Sequence, residues 1–593
     1  MKNNIIFFII LSFGILSCRN VSSSGGTNSS AGDLVLTVLP FELAGETCAA
    51  NMKLHWNSVV GAVNYAVYSS TDGSSYSQVD FSSSTTYDDY AIAGSKCYYQ
   101  VKAVKANGET IAASPVVSCT VSDESSSLNV YDNTTYTGFI QRSDLKFGSI
   151  FYKYVYSNSS GQVTLTEYTS TDGLNFEAGD IVMDPSHSKI TDSDISSGST
   201  KGELYSSKLE AMSVVKKDDQ IIIWAHYENA SDYSLGRAVC ISGTPGSGEY
   251  FTYHGSFQPE GNDSRDMTFF EDTDGTGYIV SASDTNTNLR IYRLTSDWTN
   301  VDTTFQSIVV CENQNREAPS LIKQNGWYYL FSSAAAGWYP SAAKYISAQS
   351  ISDLAYADLR DIGNTQTFGA QSGGVTKIGS RYVMMANRWS GGWATPDPVL
   401  SALGEWSSQR MLPMSLSVGY AFYDYYYNVK YNCDSEIVIP VQKGRNLSQN
   451  QDVSLSDSGQ TGYTPEKAND GVSSDSDNYY NPSATSGTYD YVADLGSKCK
   501  ISEVDVTFRV YKGSEVYNTY TIDGSTDGST WTTIKDKSDN TVIGFNENII
   551  DDTGTYRYVR LHVTGVYRAS NNSSLDASWV RGIHEFSVYG TYN

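Results

Sequence analysis

Histidine, basic residues and helix-period patterns are all scarce in this chain of 593 residues. Its 6 histidines are scattered and show no metal-ligand spacing with cysteine or aspartate, which argues against a catalytic zinc site. The 40 Lys and Arg against 65 Asp and Glu give a net charge of -25, which argues against nucleic acid or anionic lipid as a partner. Alternating strands separated by Ser, Asp and Gly turns run throughout. With 45 Tyr and 10 Trp, the composition predicts an extracellular all-β protein with a neutral ligand such as a glycan.

An apolar run long enough to span a bilayer is missing as well. The run from Ile5 to Ile15 is too short, and with Lys2 before it predicts a secretory signal over residues 1–17. Cys18 follows a small residue at the end of this signal, which resembles the bacterial lipobox; an ordinary signal cleaved nearby is the alternative. Residues 18–33 predict a lipidated Cys and a flexible tether rich in Ser, Gly and Asn. We therefore expect an exported protein, lipid-anchored in a bacterial cell envelope at the outer membrane or cell surface.

Residues 34–122 predict a small β-sandwich. Short strands run from Leu54 to Trp56, from Tyr65 to Tyr68 and from Tyr98 to Ala103. The buried Trp and the two Tyr-x-Val strands resemble a fibronectin type III module, for which about 90 residues is a suitable length. Such a module is expected to be a spacer, with glycan binding as the alternative. Seven cysteines remain after Cys18, an odd number, and export permits two of the three in this segment to pair.

Residues 126–442 contain one pattern five times, a polar residue or glycine followed about twelve positions later by an aromatic or β-branched strand. The strands are 148–156, 220–224, 277–281, 326–331 and 379–385. Four-stranded units recurring in this way predict a five-bladed β-propeller, whose innermost strands converge on one axis. The residues that precede the repeats should therefore meet in one pocket; they are Gly138, Glu210, Asp266, Glu317 and Gln371. Three carboxylates and an amide in one pocket suggest a glycosidase.

Two of these positions carry longer motifs. Arg316-Glu317-Ala318-Pro319 precedes one repeat strand, and Ser264-Arg265-Asp266-Met267 precedes another. Both resemble glycoside hydrolase family 43, an inverting family in which an acid protonates the leaving oxygen while a base activates water. The resemblance implies that Glu317 is the general acid and that Asp266 raises its pKa and orients it. A negative charge beside an acid keeps the proton on it near neutral pH.

The first blade departs from most of that family. Residues 136–140 hold no carboxylate where a base aspartate is expected, and Asp144 is a spare candidate. The exo-β-1,3-galactanase branch shares this lack, and the resemblance to it continues through Glu210, Trp338, Gln371 and Trp389. It implies that Gln371 takes the base role and that substrate is bound by the following residues: Glu210, Trp338, Tyr339, Arg388 and Trp389. Packing or capping roles are the plainer alternatives for Gln371, Glu210 and the aromatic residues.

Residues 446–593 resemble the coagulation factor 5/8 type C, or discoidin, module. The motifs occur in the family's order: Ala468-Asn-Asp-Gly471, Tyr491 to Gly496, Arg557 to Leu561 and Ile583 to Tyr589. The resemblance implies a carbohydrate-binding β-sandwich with a structural calcium ion held by Asp470 and Glu585, since calcium requires oxygen ligands. A turn carboxylate and a solvated glutamate are the alternative. Removing the module should leave hydrolysis of short oligosaccharides nearly unchanged but weaken capture of polymeric substrate.

The favoured function is therefore inverting exo-hydrolysis of β-1,3-galactan, the arabinogalactan backbone, releasing galactose without a catalytic cofactor. The expected partners are that polysaccharide and, through the lipid anchor alone, a membrane. Another family 43 activity, α-arabinofuranosidase or β-xylosidase, is one alternative, although the missing aspartate argues against it. A catalytically inactive glycan-binding surface lipoprotein is the other.

Overall fold

The computed structural model describes residues 43–592 except 48–50, 83–84, 91–95, 121–127, 135–144, 159–160, 187–200, 206, 230–231, 379–380, 390–406, 418, 434–436, 442–443, 458 and 511–515. The described chain is all-β, as predicted, with 3-10 turns as its helical elements. These turns are Lys201–Leu204, Pro259–Gly261, Ser352–Tyr356, Pro465–Ala468 and Ser578–Val580. Within this part of the chain, no helix is long and apolar enough to cross a membrane.

The N-terminal segment forms two sheets. Its strands are β1 (Leu43–Thr47), β2 (Asn51–Trp56), β3 (Asn64–Ser70), β4 (Ser77–Ser82), β5 (Thr86–Tyr90), β6 (Lys96–Val104), β7 (Thr110–Ala113) and β8 (Val117–Thr120). One sheet has the order β1-β2-β5, and the other the order β4-β3-β6-β7 with β8 on β6. Trp56 packs between them against residues of the predicted Tyr-x-Val strands. Cys97 lies opposite Cys119 in the register of β6 and β8. The fibronectin III resemblance stays a prediction.

Five four-stranded antiparallel sheets follow in chain order. They are β10 to β13 (Lys146–Phe147, Ile150–Ser157, Thr164–Ser170, Glu177–Met183), β14 to β17 (Ser207–Lys217, Gln220–Asn229, Arg237–Gly243, Thr252–Phe257), β18 to β21 (Met267–Glu271, Gly277–Ser283, Asn288–Arg293, Ile308–Val310), β22 to β25 (Arg316–Gln324, Trp327–Ala334, Ala343–Ala348, Arg360–Asp361) and β26 to β29 (Val375–Ile378, Arg381–Trp389, Ser407–Ser417, Tyr420–Tyr423). The five repeat strands of the sequence are the second strands of these sheets. The first strands β14, β18, β22 and β26 contact one another in turn, which places them innermost.

The second strands β15, β19, β23 and β27 are buried along most of their length, as packing on both of their faces requires, whereas β11 alternates between buried and exposed residues. In β15 every residue but the first and last is buried, and its side chains enter two separate hydrophobic clusters. This burial on two faces explains the near-continuous apolar run of the repeat strand in β15. The turn into β23 is made by Asn325 and Gly326, both at positive φ (50° and 80°), as a tight hairpin turn requires.

The entry and exit of the propeller are joined. Strands β9 (Asn129–Asp132), β30 (Asn428–Asn432) and β31 (Ile437–Val441) form a sheet with β30 in the middle. The Tyr131 hydroxyl donates to the Gln409 carbonyl at 2.6 Å, and the Asn133 amide donates to the Met411 carbonyl at 2.9 Å. These bonds tie the start of the propeller to β28 of its last sheet.

The C-terminal module is one eight-stranded network. Its strands are β32 (Arg445–Asn446), β33 (Val453–Leu455), β34 (Tyr489–Phe508), β35 (Val516–Ser525), β36 (Thr532–Lys537), β37 (Phe545–Ile549), β38 (Thr555–Arg568) and β39 (Ile583–Tyr592). The long strand β34 pairs with β38 along its first half and with β37 and β39 along its second half. A large hydrophobic cluster fills the module.

The three Ser-Thr-Asp-Gly segments form the same turn in three modules. In the first, the Asp72 carboxylate accepts from the N–H groups of Ser74 and Ser75 at 2.7 and 2.8 Å, and the Ser70 hydroxyl accepts from that of Gly73 at 2.9 Å. The segments at Ser170 and Ser525 repeat these bonds. The glycine alone takes positive φ in each. These segments are structural turns.

Candidate active site

Four of the predicted pocket residues occupy corresponding places in four successive sheets. Glu210 and Glu317 lie in the first strands β14 and β22, and Asp266 and Gln371 lie just before the first strands β18 and β26. The residues on the first blade, Gly138 and the spare base candidate Asp144, fall outside the described part of the chain, as does Cys18.

A β-bulge follows each of the two glutamates. The pairing register shifts between Glu210 and Ser213 and again between Glu317 and Ser320. In both bulges the next residue is an alanine in the left-handed region, Ala211 at φ 49° and Ala318 at φ 47°. A bulge turns its strand locally and releases a main-chain group from the ladder. Here the released Ala318 N–H donates to the Asp266 carboxylate at 3.2 Å, which joins the third sheet to the acid residue of the fourth.

The Glu317 carboxyl is buried in the pocket and has a raised pKa. Its side chain is 8% exposed, and its two oxygens accept from the amides of Asn286 at 3.0 Å and Gln371 at 2.9 Å. Burial, followed by the negative charge of Asp266, raises the pKa of Glu317 to about 8. The bond from Gln371 opposes that rise. A carboxyl group with this pKa holds its proton at neutral pH, which is the state that a general acid needs.

The other two carboxylates, Asp266 and Glu210, interact through their charges. Burial, with the charge of Glu210, raises the pKa of Asp266, and the nearby His226 opposes the rise. Glu210 accepts from the Tyr233 hydroxyl at 2.8 Å and lies 3.6 Å from both His226 and Lys208. His226 therefore lies close to Glu210 and also acts on the pKa of Asp266.

Hydrogen bonds on both sides fix the orientation of the Gln371 amide. Its nitrogen donates to Glu317 at 2.9 Å and to the Ser333 hydroxyl at 3.0 Å, and its oxygen accepts from the Trp389 indole at 2.8 Å. An indole N–H can only donate, so the amide oxygen must face Trp389 and the nitrogen must face Glu317. Two main-chain bonds to Asn387, at 2.8 and 2.7 Å, hold the backbone of Gln371.

The predicted substrate-binding residues divide into two groups. Trp338 lies edge to face with Trp389, with ring centroids 4.9 Å apart, so these two indoles and Glu210 lie beside the catalytic candidates. Tyr339 is buried and packs with Tyr517 and Ile543 of the C-terminal module. Arg388 is also buried, and its charge lowers the pKa of a glutamate of that module. Tyr339 and Arg388 thus face a module interface, a placement that does not favour a sugar contact.

Asn286, Tyr233 and His226 are pocket residues that sequence reasoning missed. Asn286 lies in the turn between β19 and β20, at φ 62°, and binds Glu317. Tyr233 lies in the loop before β16 and donates to Glu210. His226 lies in β15, next to Glu210 in the register. The cross-strand register of the repeat could have identified His226, whereas a turn asparagine and a loop tyrosine carry no such signal.

The predicted calcium ligands, Asp470 and Glu585, lie close together. The Gly471 N–H donates to Glu585 at 3.2 Å. Burial raises the pKa of Asp470 to about 6, and burial with the charge of Asp470 raises that of Glu585 well above its usual value. The Asn478 side-chain nitrogen lies within 2.9 to 3.4 Å of four oxygens, two from Asp470 and one each from the carbonyls of Lys467 and Val472.

We call these four oxygens and Glu585 the oxygen cage. An amide nitrogen has only two protons to donate, so four acceptors around it form a set better matched to a cation. Calcium takes six to eight oxygen ligands, carbonyls included, and the cage fits that chemistry. Among the described residues, no group of three or more His, Cys, Asp or Glu is arranged to hold a metal ion, so such a site must draw on main-chain carbonyls.

Two segments of the chain match models of known protein families. Residues 221–358 match the family model of glycosyl hydrolases family 43, and residues 451–578 match that of the F5/8 type C domain. The two matches confirm the resemblances to family 43 and to the factor 5/8 type C module that were inferred from the sequence. The comparison with curated proteins finds no match.

Solved structures of two exo-β-1,3-galactanases are similar to this chain. The first, from Clostridium thermocellum, is 23% identical and covers 71% of this chain and 100% of its own, with a TM-score of 0.44. The second, from Phanerochaete chrysosporium with bound β-1,3-galactotriose, is 21% identical and covers 78% of this chain and 100% of its own, with a TM-score of 0.45.

Proposed function

We propose that this protein is a glycoside hydrolase that releases galactose from the ends of β-1,3-galactan chains with inversion of configuration. The observation that carries the proposal is the Glu317 carboxyl, buried, with a pKa of about 8 and in direct contact with Gln371. Glu317 donates its proton to the leaving glycosidic oxygen. Asp266 keeps that proton in place through its charge and positions the Glu317 backbone through Ala318.

Gln371 is assigned the base role because it is the polar group of the fifth sheet that reaches the acid. An amide nitrogen only donates, so this role requires the imidic acid tautomer. The nitrogen of that tautomer has a free lone pair and accepts the proton of the attacking water, while Glu317 gives its own proton to the leaving oxygen. Inversion places a water on the opposite face of the sugar from the acid, with the two catalytic groups roughly 6.5 to 9.5 Å apart. The direct contact between Gln371 and Glu317 leaves no space for that water. The proposal therefore requires the bound sugar to separate the pair and to leave Gln371 oriented by Trp389.

Release of galactose from β-1,3-galactan by the purified protein tests this function. β-1,3-Galactotriose is the short substrate of choice because it has the same linkage. Aryl α-arabinofuranosides and β-xylosides serve as comparison substrates. Hydrolysis of either that is faster than hydrolysis of the galactan substrate would assign a different activity to the same pocket. Binding of galactan without any product would instead indicate an inactive glycan-binding protein.

Replacing Asp266 by asparagine should move the basic limb of the kcat/KM profile toward acid by about one pH unit. The reaction needs protonated Glu317, and loss of a negative neighbour lowers the pKa of Glu317, so the active form disappears at a lower pH. The amide keeps an acceptor for the Ala318 N–H. The matched control is Asp302→Asn, which lies in a surface turn beside Arg293. A pH profile of Asp266→Asn that coincides with that of the wild type would show that Asp266 does not raise the pKa of Glu317.

We propose that the protein is attached to a bacterial cell envelope through lipid on Cys18. The support is the lipobox-like end of the signal and the short apolar run before it. Two acyl signals suffice for stable anchoring without a spanning helix. Cys18→Ser should therefore shift the protein from the membrane to the soluble fraction. Metabolic labelling with a fatty-acid analogue should mark the wild type and not this variant, and an unlabelled wild type would contradict the proposal.

We also propose that the oxygen cage binds a structural calcium ion. Calcium at about one hundred times its Kd stabilises a folded state by about 2.7 kcal/mol, so the unfolding transition of the module should rise by several degrees on addition of calcium. Asp470→Asn should abolish that rise, and Asp536→Asn, at an exposed position near the end of β36, should keep it. Because binding displaces protons from Asp470 and Glu585, affinity should fall as pH is lowered. A wild-type melting temperature insensitive to calcium would contradict the site.

A further inference from the structure

We propose that the C-terminal sandwich is a positioning element of the catalytic pocket, because it holds the loop that carries Gln371. This inference deepens the proposed function and rests on it for its activity readout. We call residues 363–371 the Gln371 loop. The sequence predicts a tethered module that acts on polymer capture alone, whereas the contacts at this loop predict an effect on turnover of every substrate.

Polar bonds join the Gln371 loop to the module at three successive residues. The Thr365 N–H donates to the Ser473 carbonyl at 2.9 Å. The Gln366 side chain donates to the Phe508 carbonyl, and the Asn364 side chain donates to the Thr507 hydroxyl at 3.5 Å. Main-chain and amide groups of a buried loop must find such partners, and here the C-terminal module supplies them.

An aromatic cluster fixes the middle of the Gln371 loop. The Phe545 ring at the start of β37 packs edge to face on Phe368 of the loop, with centroids 5.3 Å apart, and on Tyr425 of the propeller at 4.9 Å. Phe545 is 2% exposed and belongs to the same hydrophobic cluster as the fourth and fifth sheets. One residue of the module is therefore part of the propeller core.

The backbone of the Gln371 loop needs this support. Thr367 and Phe368 have φ of 47° and 52°, and Gly369 follows at 78°. Positive φ is unfavourable for a β-branched or aromatic residue and persists only where the surroundings impose it. The strained residues, Thr367 and Phe368, lie four and three positions before Gln371, so relaxation of the loop would move the amide that contacts Glu317.

A buried ion pair holds the module in one position. Arg410 in β28 is fully buried and lies 3.2 Å from Glu547 in β37. Burial alone would raise the pKa of Glu547, but the charges of Arg410 and Arg388 bring it below its usual value. Separating such a pair leaves buried charges without a partner, which is strongly unfavourable. The same Arg388 precedes Trp389, whose indole orients the Gln371 amide.

The test uses full-length protein with Phe545→Ala, Gln371→Ala and the double variant. We expect Phe545→Ala to lower kcat on β-1,3-galactotriose by about tenfold or more, since small misplacement of a catalytic group is costly, with little change in KM. The double variant should be no worse than Gln371→Ala alone, because both changes act through one amide. Trp531→Ala is the matched control, an aromatic truncation in the same module at a residue that packs on Arg560 of its own sheet.

A second readout needs no substrate. The hydrogen bond from Gln371 lowers the pKa of Glu317. Loss of that bond should therefore raise the pH midpoint at which a carbodiimide labels Glu317, and peptide mass spectrometry measures that labelling. Gln371→Ala and Phe545→Ala should show the same upward shift, and Trp531→Ala the wild-type midpoint. Phe545→Leu, which keeps apolar volume, should show a smaller shift and serves if the alanine variant fails to fold.

Wild-type turnover and labelling in a folded Phe545→Ala protein would overturn the inference. Independent, multiplicative losses in the double variant would overturn it as well, since they would mean that Phe545 acts elsewhere. If no glycan is cleaved by the wild type, the proposed function fails, and the labelling midpoints still decide whether the module positions Gln371.

Discussion

Glu317→Gln should lower kcat on β-1,3-galactan by about 10² to 10⁴-fold, the usual contribution of a general acid, while the protein stays folded. The amide has the size of the carboxyl group and still accepts from Asn286 or Gln371, but it has no acidic proton to give. Turnover and a melting curve on the same preparation measure both effects. Glu312→Gln, an exposed position between the third and fourth sheets, is the control and should behave as the wild type.

The role of Glu317 also predicts a dependence on the leaving group. A dinitrophenolate leaves without protonation, so Glu317→Gln should hydrolyse a dinitrophenyl β-galactoside with a far smaller loss than galactan. An equal loss on the two substrates would assign Glu317 to binding rather than to proton transfer. Normal turnover of galactan by Glu317→Gln would show that Glu317 has no catalytic role.

Gln371→Ala should lower turnover by about 10²-fold or more, and Gln371→Glu should retain part of the activity. Among the described residues of the fifth sheet, Gln371 is the one whose polar side chain bonds the Glu317 carboxyl and is also fixed by the Trp389 indole. Gln409→Ala is a suitable control, since Gln409 belongs to the same sheet and bonds the Asn387 side chain instead. The measurement is galactose release by the three variants.

The anomer of the first product decides how Gln371 works. Inversion at a β-linked galactose releases α-galactose first, and time-resolved NMR observes it directly. Initial β-galactose would show retention, which needs a nucleophilic carboxylate roughly 5 to 5.5 Å from the acid. The key role would then pass from Gln371 to Glu210 or to another carboxylate.

Local patterns in the sequence were sufficient for the blades and for most of the pocket. The repeat strand in β23 follows a tight turn at Asn325 and Gly326, and the one in β15 is apolar because it is the second strand of a sheet packed on both faces. Since such a repeat fixes the register of the first strand, Glu210, Asp266, Glu317 and Gln371 could be assigned to one axis. The contacts among Asp266, Ala318, Glu317 and Gln371 follow from that register.

Other pocket residues depend on contacts that no local pattern encodes. Asn286 reaches Glu317 from a hairpin turn at positive φ, and Tyr233 reaches Glu210 from a loop. Turns and loops of this composition are common, and the sequence does not indicate which of them faces the axis. Tyr339 and Arg388 have the residue types of sugar ligands, yet they lie against the C-terminal module.

The sequence by itself determined the module order, the all-β class, the repeat and the acidic axis, because strand alternation, turn chemistry and repeat length are local properties of the chain. Only the tertiary structure decided how the modules dock and what sets the pKa of Glu317. The Arg410–Glu547 pair and the packing of Phe545 on Phe368 join residues more than a hundred positions apart. The burial of the Glu317 carboxyl depends on the side chains that surround it. Such terms arise from the folded surroundings as a whole, and the order of residues along the chain does not reveal them.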